Sequence, residues 1–279
     1  MIIDGHAHAC GEFLHADQIL SRLDAVGASM VVLSPAEPGS SRTYRVPDLA
    51  GRFPGPVWMY PVNKLVKFAV VVKGMARKLN EGNVQVHDLH LAAPDRILQC
   101  YWLDTEGPDP LLQLERDHSR WRFSMVKMHQ CWTAFDPAGP LVHEVASWCG
   151  RRGLPLFAHL YRARDVAAYY QTVRAHPQTN FVLAHCIDVD VMARQRPLDN
   201  LFFDISPPDL VSVRQIRTAV RHAGSDHVLL GSDTPYGRDN LRRNIEKIRR
   251  IEDLTAADRD RILGQNLFDL LQSPASFSD

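Results

Sequence analysis

Eight short apolar runs rich in β-branched residues recur along the chain, separated by longer segments of helical patterning. That alternation limits the fold more than any other feature of the sequence. The runs cover residues 1–8, 29–34, 96–103, 124–129, 154–159, 180–185, 201–205 and 227–233. Amphipathic helices are expected at 16–25, 141–151, 163–175 and 211–223, each just before the next run. Residues 34–61 are rich in Pro, Gly and Ser and read as a loop, and Gly51–Pro56 in particular as turn punctuation. An amphipathic helix is expected at 64–79, within an insertion of about 34–94, and a closing helix at 258–271.

Eight β/α units favour a closed barrel over an open doubly wound sheet, because no Gly-rich nucleotide fingerprint follows the first run. The expected fold class is therefore α/β, a single (β/α)₈ TIM barrel filling residues 1–279 as one domain. The length of 279 residues suits it, since such barrels take about 250.

Composition removes several function classes. Lys plus Arg and Asp plus Glu are both 32, so no net field draws the chain to nucleic acid or to anionic lipid. The arginines at 214–221 and 238–250 read as solvated helix faces. Five scattered cysteines without a C-x-x-C pair argue against a disulfide framework or a zinc knuckle. The first residues lack a signal-peptide pattern, and no apolar run approaches the roughly 20 residues of a membrane helix. A cytoplasmic address and a small-molecule partner are the expectation, with a homodimer as the base-rate oligomer.

The chemistry lies at the ends of the runs. In Ile3-Asp4-Gly5-His6-Ala7-His8 the two histidines are two apart, and strand side chains alternate faces, so both imidazoles point one way. Runs five, six and eight end in His159, His185 and Asp233. In a barrel all C-terminal strand ends converge on one mouth, so these five metal-competent residues would be neighbours there.

These segments, with Val126-Lys127-Met128-His129, Gly231-Ser232-Asp233-Thr234-Pro235 and Ile262-Leu263-Gly264-Gln265-Asn266-Leu267, span nearly the whole chain. In this order they resemble the amidohydrolase superfamily. Within it they are similar to the amidohydrolase-related branch of aminocarboxymuconate-semialdehyde decarboxylase-like and metal-dependent hydrolase enzymes. The resemblance implies one divalent metal held by His6, His8, His159 and Asp233, with His185 beside a metal-activated water. Zinc is the first choice of metal, and manganese, iron, cobalt and nickel also accept such ligands.

A divalent cation lowers the pKa of water from about 15.7 toward roughly 7 and polarises a carbonyl. Asp233 can then take the proton, and His185 can orient the water or donate to the oxyanion. Lys127 is expected to lie near the site as a charge for an anionic substrate, although other branches of the superfamily carboxylate a lysine on this strand to bridge two metals. His129 shares its face, and Arg162 and Arg164 follow His159 in a loop where guanidinium groups could grip a carboxylate. Trp132 and Tyr236 also follow strand ends and read as packing residues.

The expected activity is hydrolysis of a C–O or C–N bond in a small carboxylated molecule. Non-oxidative decarboxylation is the alternative enzyme reading, and a barrel that binds metal or ligand without turnover is the alternative of another class.

Overall fold

The structure, a computed structural model, describes residues 1–54 and 58–272. Eight parallel strands form one sheet in sequence order: β1 (Ile3–His8), β2 (Met30–Ser34), β3 (Ile97–Trp102), β4 (Met125–His129), β5 (Leu156–His159), β6 (Phe181–Leu183), β7 (Leu201–Asp204) and β8 (Val228–Leu229). The sheet curls onto itself. Gly5 N–H donates to Leu230 O (2.9 Å), Ser232 N–H to His6 O (3.1 Å) and His8 N–H to Thr234 O (2.8 Å), so the chain after β8 completes the closure against β1. This is the expected (β/α)₈ barrel.

Helices α1 (Ala16–Asp24), α2 (Leu49–Arg52), α3 (Met59–Lys73), α4 (Leu79–Ala92), α5 (Pro110–Trp121) and α6 (Pro140–Arg152) come first. They are followed by α7 (Ala163–Ala175), α8 (Val189–Met192), α9 (Val213–Ala223), α10 (Asn240–Arg249), α11 (Ala256–Asp260) and α12 (Asn266–Gln272). The four helices expected between runs appear as α1, α6, α7 and α9, with ends shifted by two residues at most.

The insertion differs from its reading. Residues 34–61 are not all loop: α2 forms there because Asp48 caps it, accepting from Gly51 N–H (2.8 Å), and α3 starts at Met59. Of the turn reading at Gly51–Pro56, Gly51 lies inside α2, while Gly55 and Pro56 fall outside the described residues. The helix expected at 64–79 is two helices, because Gly74 adopts the left-handed conformation (φ 60°) that ends α3. Nor is α3 simply amphipathic. It buries Met59, Asn63 and Val70, yet leaves Leu65, Phe68, Val71 and Val72 exposed. The expected closing helix is continuous with a π-turn at Arg261–Gln265, where Gly264 packs so closely on Met1 O that a Cβ would sit 2.7 Å from it.

Inside the barrel, a ring of apolar side chains runs from Ile3 and Val32 through Met125 and Phe157 to Val182 and Leu229. Leu267 and Leu270 of α12 close it from below. The other end is polar. A register shift between Asp4 and Ala7 bends β1, so that Ile3 and, further on, His6 both face the interior, where the His6 ring lies 4.5 Å from Phe157. No described helix is long and apolar enough to cross a membrane.

Candidate active site

His6 and His8 project from β1 into a buried cavity at the C-terminal ends of the strands. His129 and His159 end β4 and β5, where they are direct partners in the strand register. His185 and Asp233 lie beyond their strands, in left-handed backbone (φ 59° and 53°), a conformation that costs a residue with a Cβ about 1–2 kcal/mol. Hydrogen bonds hold both turns: His185 N–H to Asp204 Oδ2 (3.0 Å) and Asp233 N–H to His6 O (2.6 Å). Gly231 is required nearby, since a Cβ there would lie 3.0 Å from His6 Cβ and press on Asp204.

The partners of each imidazole define its tautomer. His8 Nδ1 lies 2.6 Å from Pro35 O, an acceptor only, so Nδ1 carries the proton. His6 Nδ1 lies 2.9 Å from Ser206 Oγ, whose own hydrogen goes to Asp204 Oδ2 (2.7 Å), so His6 Nδ1 also donates. Both Nε2 atoms are left as lone pairs. They meet Lys127 Nζ at 2.7 Å (His6) and 3.3 Å (His8), and Asp233 Oδ1 at 3.6 and 3.3 Å. His6, His8 and Asp233 thus present ligand atoms all within 4.8 Å of one another.

His159 and His185 repeat the pattern. Asn63 donates through Nδ2 to Leu160 O (3.0 Å) and Tyr161 O (3.3 Å), which turns its Oδ1 toward His159 Nε2 at 2.8 Å. His159 Nε2 is therefore the protonated nitrogen. His185 Nδ1 donates to Ser206 O (2.5 Å). The two remaining nitrogens, His159 Nδ1 and His185 Nε2, face each other at 3.2 Å with no proton between the neutral rings. Burial pushes the pKa of all four histidines down, and that of His6 and His159 well down, which keeps them neutral. His6 Nε2, His8 Nε2 and Asp233 Oδ1 form a donor set whose types and spacing fit a divalent metal, at the place where Lys127 Nζ now meets both imidazoles. Among the described residues, His159 belongs to none of the tight groups that contain His6 and His8.

Two other groups of metal-competent side chains occur among the described residues. In the group His6, His185 and Asp204, the two Nδ1 atoms are occupied with Ser206 and Asp204, so it is a hydrogen-bonded support for the rings. In the group His129, Cys131 and His159, the two imidazoles stack 3.8 Å apart, His129 Nδ1 is taken by Cys131 N–H, and burial raises the Cys131 thiol to about 12. That set does not suit a shared ion.

His129 accepts from Cys131 N–H through Nδ1 (3.1 Å), which leaves its Nε2–H as a donor at the cavity it lines. Lys127 is fully buried among the histidines, 4.6 Å from the Trp102 ring, and burial lowers it to about 8. It contacts His6 and His8 themselves rather than reaching outward. Arg162 and Arg164 are not brought to this cavity. They line a separate open cleft of about 630 Å³ with Lys67, Tyr161, Asp136 and Asp165. Trp132 and Tyr236, read as packing, do line the histidine cavity.

Four contributors escaped the sequence reading: Asp204 and Ser206 behind His6 and His185, Asn63 behind His159, and Trp102 over Lys127. The run 201–205 could have flagged Asp204, being a strand that ends in a carboxylate. Nothing in the sequence pointed to Asn63. Burial raises Asp204 to about 7 despite three donors.

The family model described as Amidohydrolase matches residues 3–266. No curated protein matches the chain. Among solved structures, one described as an amidohydrolase II is 14% identical with a TM-score of 0.70, covering 98% of this chain and 100% of its own. The 4-oxalomesaconate hydratase of Rhodopseudomonas palustris is 16% identical (TM-score 0.62; 97% and 95% covered). The 2,6-dihydroxybenzoate decarboxylase of Rhizobium is 15% identical (TM-score 0.67; 97% and 98% covered). At such identities the likeness of the structures establishes the fold.

Proposed function

The chain belongs to the amidohydrolase family, and on that premise we propose that it is a hydrolase using one divalent metal, zinc first, held by His6, His8, His159 and Asp233. Its substrate is a small carboxylated molecule with a scissile C–O or C–N bond. One observation carries this reading: His6 Nε2 and His8 Nε2 are kept unprotonated by partners behind them and converge with Asp233 Oδ1.

When bound, a divalent cation activates water and polarises a carbonyl. The protein's own groups then have separate tasks. Asp233 accepts the proton of the attacking water. His185 orients that water through Nε2 as an acceptor; because Nδ1–H is committed to Ser206 O, the neutral ring has no proton to give an oxyanion. That donor role passes to His129 Nε2–H. Lys127 supplies positive charge that favours a carboxylated ligand.

Decarboxylation is the second reading. It is supported by the likeness to the Rhizobium decarboxylase and by a cavity whose buried lysine and tryptophan would strip water from a carboxylate.

The test compares metal content and turnover in the wild type and in a His6→Ala, His8→Ala double variant. About one equivalent of metal, lost in the variant, is expected, with release of acid or alcohol from lactones, esters or amides. Carbon dioxide from carboxylated aromatics without hydrolysis would select the second reading. Protein that takes up no metal would overturn both.

A further inference from the structure

Two cavities meet at the barrel mouth. The histidine cavity is small, about 60 Å³. Beside it lies a second of about 160 Å³, walled on one side by Leu65, Val66, Ala69 and Val70 of α3. Val66, Trp132 and Tyr236 line both, so the two cavities adjoin across these residues.

Much of the second cavity's lining is apolar: Leu65, Val66, Ala69, Val70 and Met75. Three of its polar groups are paired: Tyr44 donates to Glu37 (3.3 Å), and Glu37 pairs with Lys73 (3.7 Å). Neither the metal reading nor the proton transfers use it. The pocket opens to solvent beside Leu65 and Lys73, both exposed, and inside it Val66, Ala69 and Val70 offer an apolar wall to a guest of about benzene's size. Ligand sites commonly pair such an apolar recess with a few polar groups that fix the head of the molecule.

We propose that this pocket is a subsite for an apolar arm of the substrate. The ligand class is a carboxylate bearing an alkyl or aryl group of about six carbons. Its polar head lies among the histidines and Lys127, and its arm passes Trp132 and Tyr236 to rest against α3. The proposal depends on the reading of the histidine cavity for the head, but the pocket itself can be probed alone.

Binding calorimetry on the zinc-loaded full chain with acetate, butanoate, hexanoate and octanoate tests it. Affinity should rise about fourfold for each methylene that enters the pocket and then level off. Ala69→Phe, which fills the pocket, should remove that rise and leave acetate binding unchanged; Ala69→Leu should blunt it, and thermal unfolding checks that both variants fold. Benzene, which needs neither metal nor Lys127, should bind the wild type and not Ala69→Phe. Acetate binding with no dependence on chain length, or a rise that survives Ala69→Phe, overturns the subsite while the metal reading stands. Benzene binding that Ala69→Phe abolishes, with no carboxylate bound at all, upholds the pocket and removes the head-group reading instead.

Discussion

Asn63 Oδ1 lies 2.8 Å from His159 Nε2, so a residue of the inserted helix α3 sets the tautomer of a histidine on the barrel wall. Because Asn63 Nδ2 also holds Leu160 O and Tyr161 O, the helix, the β5 loop and the imidazole form one unit.

Asn63→Leu removes that acceptor and lets His159 choose its protonated nitrogen freely. Supports of this kind are worth roughly 10–100-fold in metal affinity, and that loss is expected in competition with a chromophoric chelator. The buried Leu160 carbonyl and the half-buried Tyr161 carbonyl also lose their donor, which should lower stability by about 1–3 kcal/mol. Asn63→Asp keeps the acceptor and should retain most of the metal affinity. Equal affinities in all three proteins would leave Asn63 a packing residue only.

Asp204 serves four groups at once: Ser206 Oγ and N–H, His185 N–H and, at 3.3 Å, His6 Nδ1. Asp204→Ala should therefore loosen His6 and His185 together and weaken metal binding by roughly 10–100-fold. Asp204→Asn, with one carbonyl oxygen left, should fall between. The check is a metal-binding isotherm at constant pH; an unchanged isotherm for the alanine variant would reject the role.

Lys247 of α10 donates to Pro208 O and Val211 O (both 2.7 Å), fixing the loop that carries Leu210 to the histidine cavity. Burial lowers its pKa to about 8, below the 10.5 of a free lysine. Between those values the unfolded chain holds a proton that the folded chain does not, so stability increases as pH rises from 8 toward 10.5. Below 8 the penalty is constant. The gain is at most about 1.4 kcal/mol per pH unit. Urea unfolding of the wild type and Lys247→Met at pH 8, 9 and 10 should show the wild type gaining on the variant at each step. A constant gap would mean that the amine is not shifted.

Leu267 is buried at the bottom of the barrel against Ile3 and its neighbours, at the end opposite the histidines. Leu267→Ala should cost about 2–5 kcal/mol through the cavity it leaves. Metal stoichiometry at low temperature should not change, because the site is built on the other strand ends. A variant that loses metal while still folded would show that the plug and the mouth are coupled.

Much of this was legible in linear order. Each of the eight strands falls within a predicted run, and His6, His8, His129 and His159 sit at strand ends as the runs implied. His185 and Asp233 were found for a reason that was partly incorrect. They stand two and four residues past β6 and β8, in left-handed turns, and period-two alternation says nothing about such turns. The arginines illustrate the opposite failure. Arg162 and Arg164 follow a site histidine in sequence, yet α7 begins at Ala163 and carries them to an outer cleft.

The sequence by itself determined the architecture, because apolar period and strand–helix alternation are local properties, and a barrel follows once eight such units are counted. It also singled out His6, His8 and Asp233, which the fold brings within 4.8 Å of one another, as candidate ligands. The tertiary structure alone decided which nitrogen of each imidazole carries the proton. That choice depends on Pro35 O, Ser206 and Asn63, which lie 27, 200 and 96 residues from the rings they govern. A hydrogen bond recognises distance in space and not separation along the chain, so no pattern in the sequence announces these partners. The apolar pocket under α3 has the same origin. Its walls come from helix, turn and strand-end segments that only the closed barrel brings together.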